Sequence, residues 1–203
     1  LNEHYYSPKP AAASNRQTFE ANLRGIRLLL TCDAGVFSRG SVDYGSRVLI
    51  ERMEIPDGSR VLDIGCGYGP IGLVAARLAP AGHVDMIDIN ERAVELAQWN
   101  AEANGIRNVR ILQSDGLAGI GDQKYDVIVT NPPIRAGKTV VYRLFEEAAA
   151  HLVPGGAFWI VIQNKQGAPS ARAKLETLFG QEAVREMGKD KGYRIYKSIA
   201  RII

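Results

Sequence analysis

Val61-Leu62-Asp63-Ile64-Gly65-Cys66-Gly67-Tyr68-Gly69-Pro70-Ile71-Gly72 decides the fold of this chain. A short apolar run carries an acid near its end, a glycine series follows, and Pro70 opens an apolar-periodic segment through Leu73, Ala76 and Leu78. That order reads as strand, tight loop, helix. Glycines let the backbone turn sharply and approach a ligand, and a proline suits the first helical turn, where its missing N–H costs little. The loop is therefore a seat for a nucleotide-sized ligand.

Outward from this unit the pattern repeats. Strands are expected at Arg60 to Ile64, His83 to Ile87, Val109 to Leu112, Tyr125 to Thr130 and Ala157 to Gln163. Helices are expected between them at residues 71–78, 91–103 and 140–152, and after the last of them at 171–179. Continuous apolar runs such as Val127-Ile128-Val129 suit strands covered on both faces of a parallel sheet. Two closing strands, 182–187 and 193–202, have no helix between them, so one member is antiparallel. The expectation is a doubly wound, mostly parallel, seven-stranded α/β sheet of the Rossmann-like kind. Ahead of it, residues 1–42 read as an arm and a hairpin (18–23 and 26–32, turning at Arg24-Gly25) packed on a catalytic domain of residues 43–203. Asp43 is the expected N-cap of a helix that ends before Pro56.

The chain has 203 residues, 46% hydrophobic and 23% charged, with a net charge of +3, which suits one well-buried domain and permits an RNA partner. Two cysteines far apart, and histidines only at 4, 83 and 151, suggest neither a disulfide framework nor a metal site. No apolar run approaches the ~20 residues of a membrane span, and no signal-peptide core is evident, so a cytoplasmic location is expected.

Gly67-Tyr68-Gly69-Pro70-Ile71-Gly72 matches the dinucleotide fingerprint, with Asp88 at the end of the next strand, so a nicotinamide-dependent oxidoreductase is one reading. Asp63 argues against it. A carboxylate beside the loop is a poor neighbour for a pyrophosphate and a good one for an ammonium and a sulfonium, the near end of S-adenosylmethionine. Asp88, with Ile89 beside it, can accept both ribose hydroxyls, and Asp115, followed by Gly116, can accept from the adenine amine. Gly65, Gly67 and Gly69 complete that expected cofactor seat.

Asn131-Pro132-Pro133-Ile134 leaves the fourth strand, where the reacting methyl is expected. The Asn131 amide oxygen and the Pro132 carbonyl can grip the two hydrogens of an sp² amine and stabilise charge developing on nitrogen. Arg135, Lys138 and Arg143, with Lys165, Arg172 and Lys174, are candidate RNA contacts at the same edge of the sheet.

These motifs resemble class I S-adenosylmethionine-dependent methyltransferases that modify exocyclic or amide nitrogens. His4-Tyr5-Tyr6-Ser7, Gly35-Val36-Phe37-Ser38, Asp43-Tyr44-Gly45-Ser46, Asn131 to Lys138 and Gln163 to Ala168 are similar, more narrowly, to the small-subunit (16S) ribosomal RNA guanine-N2 methyltransferases of single-domain type. The resemblance implies methyl transfer to a guanine N2 amine, with ribosomal RNA or a small-subunit assembly intermediate as partner. It also implies Phe37 at the cofactor and Pro133, Ile134, Tyr5 and Tyr6 at the substrate. Where that family often has a base-stacking aromatic, this chain has Ile134, so another residue supplies the stacking, with Tyr5, Tyr6 and Phe37 as candidates, or the substrate is held differently. The same Asn-Pro-Pro serves protein glutamine amides and adenine amines, which remain alternatives.

Overall fold

The computed structural model describes residues 6–9, 11–36 and 40–202. Strands β1 (Gln17–Leu23) and β2 (Ile26–Cys32) form a hairpin, and α1 (Tyr44–Arg52) follows. Then come β3 (Arg60–Ile64), α2 (Pro70–Leu78), β4 (His83–Asp88), α3 (Glu91–Ala103), β5 (Val109–Gln113) and β6 (Tyr125–Thr130). The chain closes with α4 (Lys138–Ala150), β7 (Leu152–Gln163), α5 (Ala168–Phe179), β8 (Val184–Asp190) and β9 (Tyr193–Ile199). Seven strands make one sheet in the order β5-β4-β3-β6-β7-β9-β8, with β9 antiparallel to both neighbours. The expected doubly wound sheet is the one observed.

After β5 the chain crosses from one side of β3 to the other, so the carboxyl ends of β3, β4 and β6 flank a topological switch, where open α/β sheets bind ligands. Pairing of Ile64 with Ile87 and with Thr130 sets those ends side by side. Strand alternation divides the core. Val61, Val84, Met86, Val127 and Val129 face α1, α2, α3 and the hairpin, whereas Leu62, Ile64, Ile87, Ile128 and Ile160 face α4 and α5.

Several boundaries move from their expected places. Tyr125 pairs with Leu152 and Val127 with Ala157, so Val153 to Gly156 form a bulge inside β7 instead of a break before it. Both α4 and α5 start earlier than their apolar periodicity, the latter with Pro169 in its first turn. A one-turn helix at Gln181–Ala183 displaces β8 toward the C-terminus.

The open edge of β2 is closed by side chains. Asn100 exchanges two hydrogen bonds with the backbone of Thr31 (2.8 and 2.9 Å), and Asn104 does the same with Leu29 (2.8 and 2.8 Å). Four residues of helix rise ~6 Å and two of strand ~7 Å, so an i,i+4 pair of asparagines meets alternate residues of an edge strand. Arg24, in left-handed backbone at φ 53°, spans from the hairpin turn to the carbonyls of Ile50 and Met53 at the end of α1.

Candidate active site

A cleft of about 880 Å³ opens at the carboxyl ends of β3, β4 and β6. Gly65 and Gly67, at φ 68° and 56°, form its floor, and a side chain on either would project into open space. The loop therefore offers bare backbone to a ligand. Gly69 does not line the cleft: at φ 108° it caps α2, and a Cβ there would press on Met86 and Leu73 at 3.1–3.3 Å. Its glycine is required by close helix–sheet packing.

Asp63 is also placed differently from its expected position at the ligand. Alternation along β3 turns it to the Val61 face, under the first turn of α2, where Oδ2 accepts the Gly72 N–H at 2.8 Å. The side chain is fully buried, Oδ1 has no partner, and burial pushes its pKa up to about 7. Asp88 stands on the cleft wall. Its Oδ2 accepts the Gly67 N–H at 2.8 Å and its Oδ1 the Asn90 N–H at 2.9 Å, and the Ile89 N–H also donates to the carboxylate, so the backbone holds Asp88 in place on the wall. Burial pushes Asp88 up to about 6.

At the end of β6, Asn131, Pro132 and Pro133 line the cleft. The Asn131 Nδ2 donates to Asp43 Oδ2 and to Ser46 Oγ, both at 3.1 Å. Both amide hydrogens are thus spent on the first turn of α1, and Oδ1 is the polar group that remains. The Pro132 carbonyl accepts the Ile134 N–H at 2.8 Å in an inverse γ-turn centred on Pro133 (φ −75°, ψ 75°), so one lone pair is left to it. Ile134 packs against the α4–α5 side of the core and is not on the cleft wall.

At the β4–β5 end the wall is built from Ile89, Ser114, Gly116 and Tyr6. Asp115, expected to face a base amine, is instead a half-exposed partner of Arg143: Oδ1 accepts from its guanidinium at 2.6 Å and from the Tyr6 hydroxyl at 3.3 Å. The guanidinium holds Asp115 below the usual carboxylate range. Tyr6 thus sits at the opposite end of the cleft from Asn131, three strand spacings or ~14 Å across the sheet, rather than beside the substrate position. Pro8 accepts from the Glu91 N–H at 3.1 Å, so the amino-terminal arm is tied over this end. Tyr5 and Phe37 lie outside the described residues.

The expected RNA contacts separate into two groups. Arg143 pairs with Asp115 and Glu147, Arg172 with Glu176, and Lys174 with Glu146, so their charge is locally balanced. Arg135 and Lys165 are exposed without a carboxylate partner among the described residues, and the exposed Lys138 lies 5.5 Å from the centre of the Tyr142 ring. Sequence reasoning missed Asp43 and Ser46 as partners of Asn131. Their spacing is a capping signature, and capping alone accounts for it, since Asp43 Oδ2 also accepts the Ser46 N–H at 3.0 Å.

The methyltransferase small domain family model matches residues 27–197. A Bacillus subtilis (strain 168) protein named YbxB, described as uncharacterized, is 52% identical over 98% of both chains. Ribosomal RNA large subunit methyltransferase G of Pseudomonas putida (strain W619) is 35% identical over 84% of this chain and 47% of its own. The solved structure of the T. thermophilus 16S rRNA N2 G1207 methyltransferase (RsmC) in complex with AdoMet and guanosine superposes with a TM-score of 0.83, at 30% identity, over 95% of this chain and 52% of that one. The chain spans about half the length of these two named enzymes. By its sequence match and its fold, this chain belongs to the methyltransferase small domain family.

Proposed function

We propose that this chain transfers a methyl group from S-adenosylmethionine to the exocyclic N2 amine of a guanine in 16S ribosomal RNA. The observation that carries the reading is the Asn131 amide, whose two hydrogens are spent on Asp43 and Ser46 and whose oxygen is left as an acceptor on the cleft wall. The residues present fit the cofactor. Bare loop backbone at Gly65 and Gly67 gives it room, and the backbone-held carboxylate of Asp88 on the cleft wall suits the ribose. When bound, that group supplies a sulfonium methyl.

The chain's own residues then hold the acceptor. Asn131 Oδ1 and the free lone pair of the Pro132 carbonyl each take one hydrogen of the amine, which aims the nitrogen lone pair at the methyl carbon. As the C–N bond forms and the C–S pair returns to sulfur, positive charge builds on nitrogen. The two oxygens stabilise it, and the proton then leaves to water, so no strong base is needed. Cleft walls built from Ile64, Ile71, Ile87 and Leu144 keep the site apolar around these acceptors.

Asn131→Ala is expected to lower methyl transfer by roughly 10²–10³-fold, the usual cost of one lost transition-state hydrogen bond, with cofactor affinity nearly unchanged. Transfer assays beside calorimetry check this, and retained activity with lost cofactor affinity would remove Asn131 from the chemistry. The similarity to the guanosine-bearing T. thermophilus enzyme favours guanine over an adenine amine or a glutamine amide as acceptor.

A further inference from the structure

Beyond β6 the carboxyl edge of the sheet carries a group of cations that sequence reasoning largely passed over. Gln163, the last residue of β7, pairs with Tyr193, and the Asn164 N–H donates to Gly192 O at 2.7 Å, so the loop after β7 and the β8–β9 turn are stitched together. Lys165, Lys189 and Lys191 border two shallow depressions that share Asn164, Lys191 and Gly192. None of the three has a carboxylate partner among the described residues, whereas nearby Arg194 is paired with Glu186. The local acid, Asp190, accepts the Tyr44 hydroxyl at 2.6 Å.

Lys191 is the telling residue. With Gly192 it forms a two-residue hairpin loop, both at positive φ (44° and 81°), a turn that favours Asn-Gly. Arg24 holds the equivalent strained position in the first hairpin, and its side chain explains why, through bonds to Ile50 O and Met53 O. Lys191 makes no such bond. Its ammonium lies 4.9 Å from the centre of the Tyr44 ring, and Tyr44 adjoins Asp43, which holds Asn131. A lysine kept against its backbone preference, without a carboxylate partner among the described residues and resting on the ring of a residue in the helix that orients the candidate catalytic amide, points to a task outside the fold.

We infer that the β8–β9 turn and Lys165 form a docking site for RNA phosphates, beside the target nucleotide on the β7–β8 side of Asn131. This rests on the RNA substrate proposed above. The other flank is closed to such a role: the arm covers it through Tyr6 and Pro8, and Arg143 there is neutralised by Asp115 and Glu147. In the sheet, β9 stands two strand spacings, about 10 Å, from β6. The phosphates flanking a base drawn into the cleft therefore fall within reach of flexible lysines.

The test compares binding of the full chain to protein-free 16S ribosomal RNA and to isolated small subunits across a salt series, with cofactor present. Lys191→Asn relieves the turn, so its thermal midpoint is expected to stay level or rise. Its RNA affinity is expected to fall roughly fivefold at low salt, with the slope of log affinity against log salt reduced by about 0.7–1. The combined Lys165→Ala, Lys189→Ala, Lys191→Asn variant is expected to lose about 2 from the slope. Arg107→Ala, an exposed cation ahead of β5 at the opposite edge, serves as the control and is expected to change nothing. An unchanged slope in the combined variant, with RNA still bound, overturns the dock and leaves the methyltransferase reading standing. A wild-type chain that binds cofactor but neither RNA substrate overturns both.

Discussion

Asp63 bears the larger burial cost of two neighbouring acids, its pKa raised to about 7 against about 6 for Asp88. It is a fully buried carboxylate with one bond, to the Gly72 N–H, and burial raises its pKa to about 7. A folded-state pKa above the unfolded one means that the folded chain holds the extra proton, so this stabilisation is complete below the usual carboxylate range and is lost as pH rises to about 7. Asp33, Asp85 and Asp115 are shifted downward and act in the opposite sense, so the informative quantity is a difference between two proteins. Without cofactor, Asp63→Asn is expected to gain on the wild type by up to about 4 kcal/mol between pH 4 and pH 7.5, about three pKa units, read from denaturant unfolding at each pH. A difference that stays flat with pH would place the Asp63 proton elsewhere. The position of this acid was legible in the sequence but its orientation was read wrongly: two-residue alternation from Val61 sends it beneath α2.

The first turn of α1 serves two purposes with one atom. Asp43 Oδ2 caps the helix through the Ser46 N–H and also takes an Asn131 hydrogen, so helix start and amide orientation are coupled. Asp43→Asn keeps an acceptor in the same place and is expected to stay within a few-fold of wild-type kcat. Asp43→Ser keeps a capping oxygen but is too short to reach Asn131; kcat is expected to fall about tenfold, with cofactor affinity and thermal midpoint little changed. Wild-type kcat in Asp43→Ser would show that Asn131 orients itself. At this scale the elements were legible wherever apolar periodicity was regular, as in β3, β6 and α3. They were not where a bulge or a one-turn helix intervened, because Pro154-Gly155-Gly156 reads as a break while pairing resumes at Ala157.

Across the whole molecule, the crossover after β5 brings Asp88, the glycine loop and Asn131 to one cleft, although they are spread over 65 to 131 in sequence. That assembly was foreseeable from alternating strands and helices, since such sheets bind ligands at the switch in strand order. The pairing of charges was not. Arg143 and Lys174 look as free in sequence as Lys165 and Lys191, and only tertiary contacts with Asp115 and Glu146 separate them, whereas the i,i+4 spacing of Arg172 and Glu176 on one helix was there to be read. The amino-terminal arm likewise settles over the β4–β5 end of the cleft and leaves the Asn131 end for the acceptor. The central claim, transfer to guanine N2 in 16S ribosomal RNA, is tested most directly by incubating the protein and methyl-labelled S-adenosylmethionine with ribosomal RNA of both subunits, free and assembled, from cells lacking the protein. Mass spectrometry of the digested nucleosides is expected to find the label in N2-methylguanosine of the 16S RNA. Label in methyladenosine, in large-subunit RNA or in a ribosomal protein, or no label at all, would contradict it.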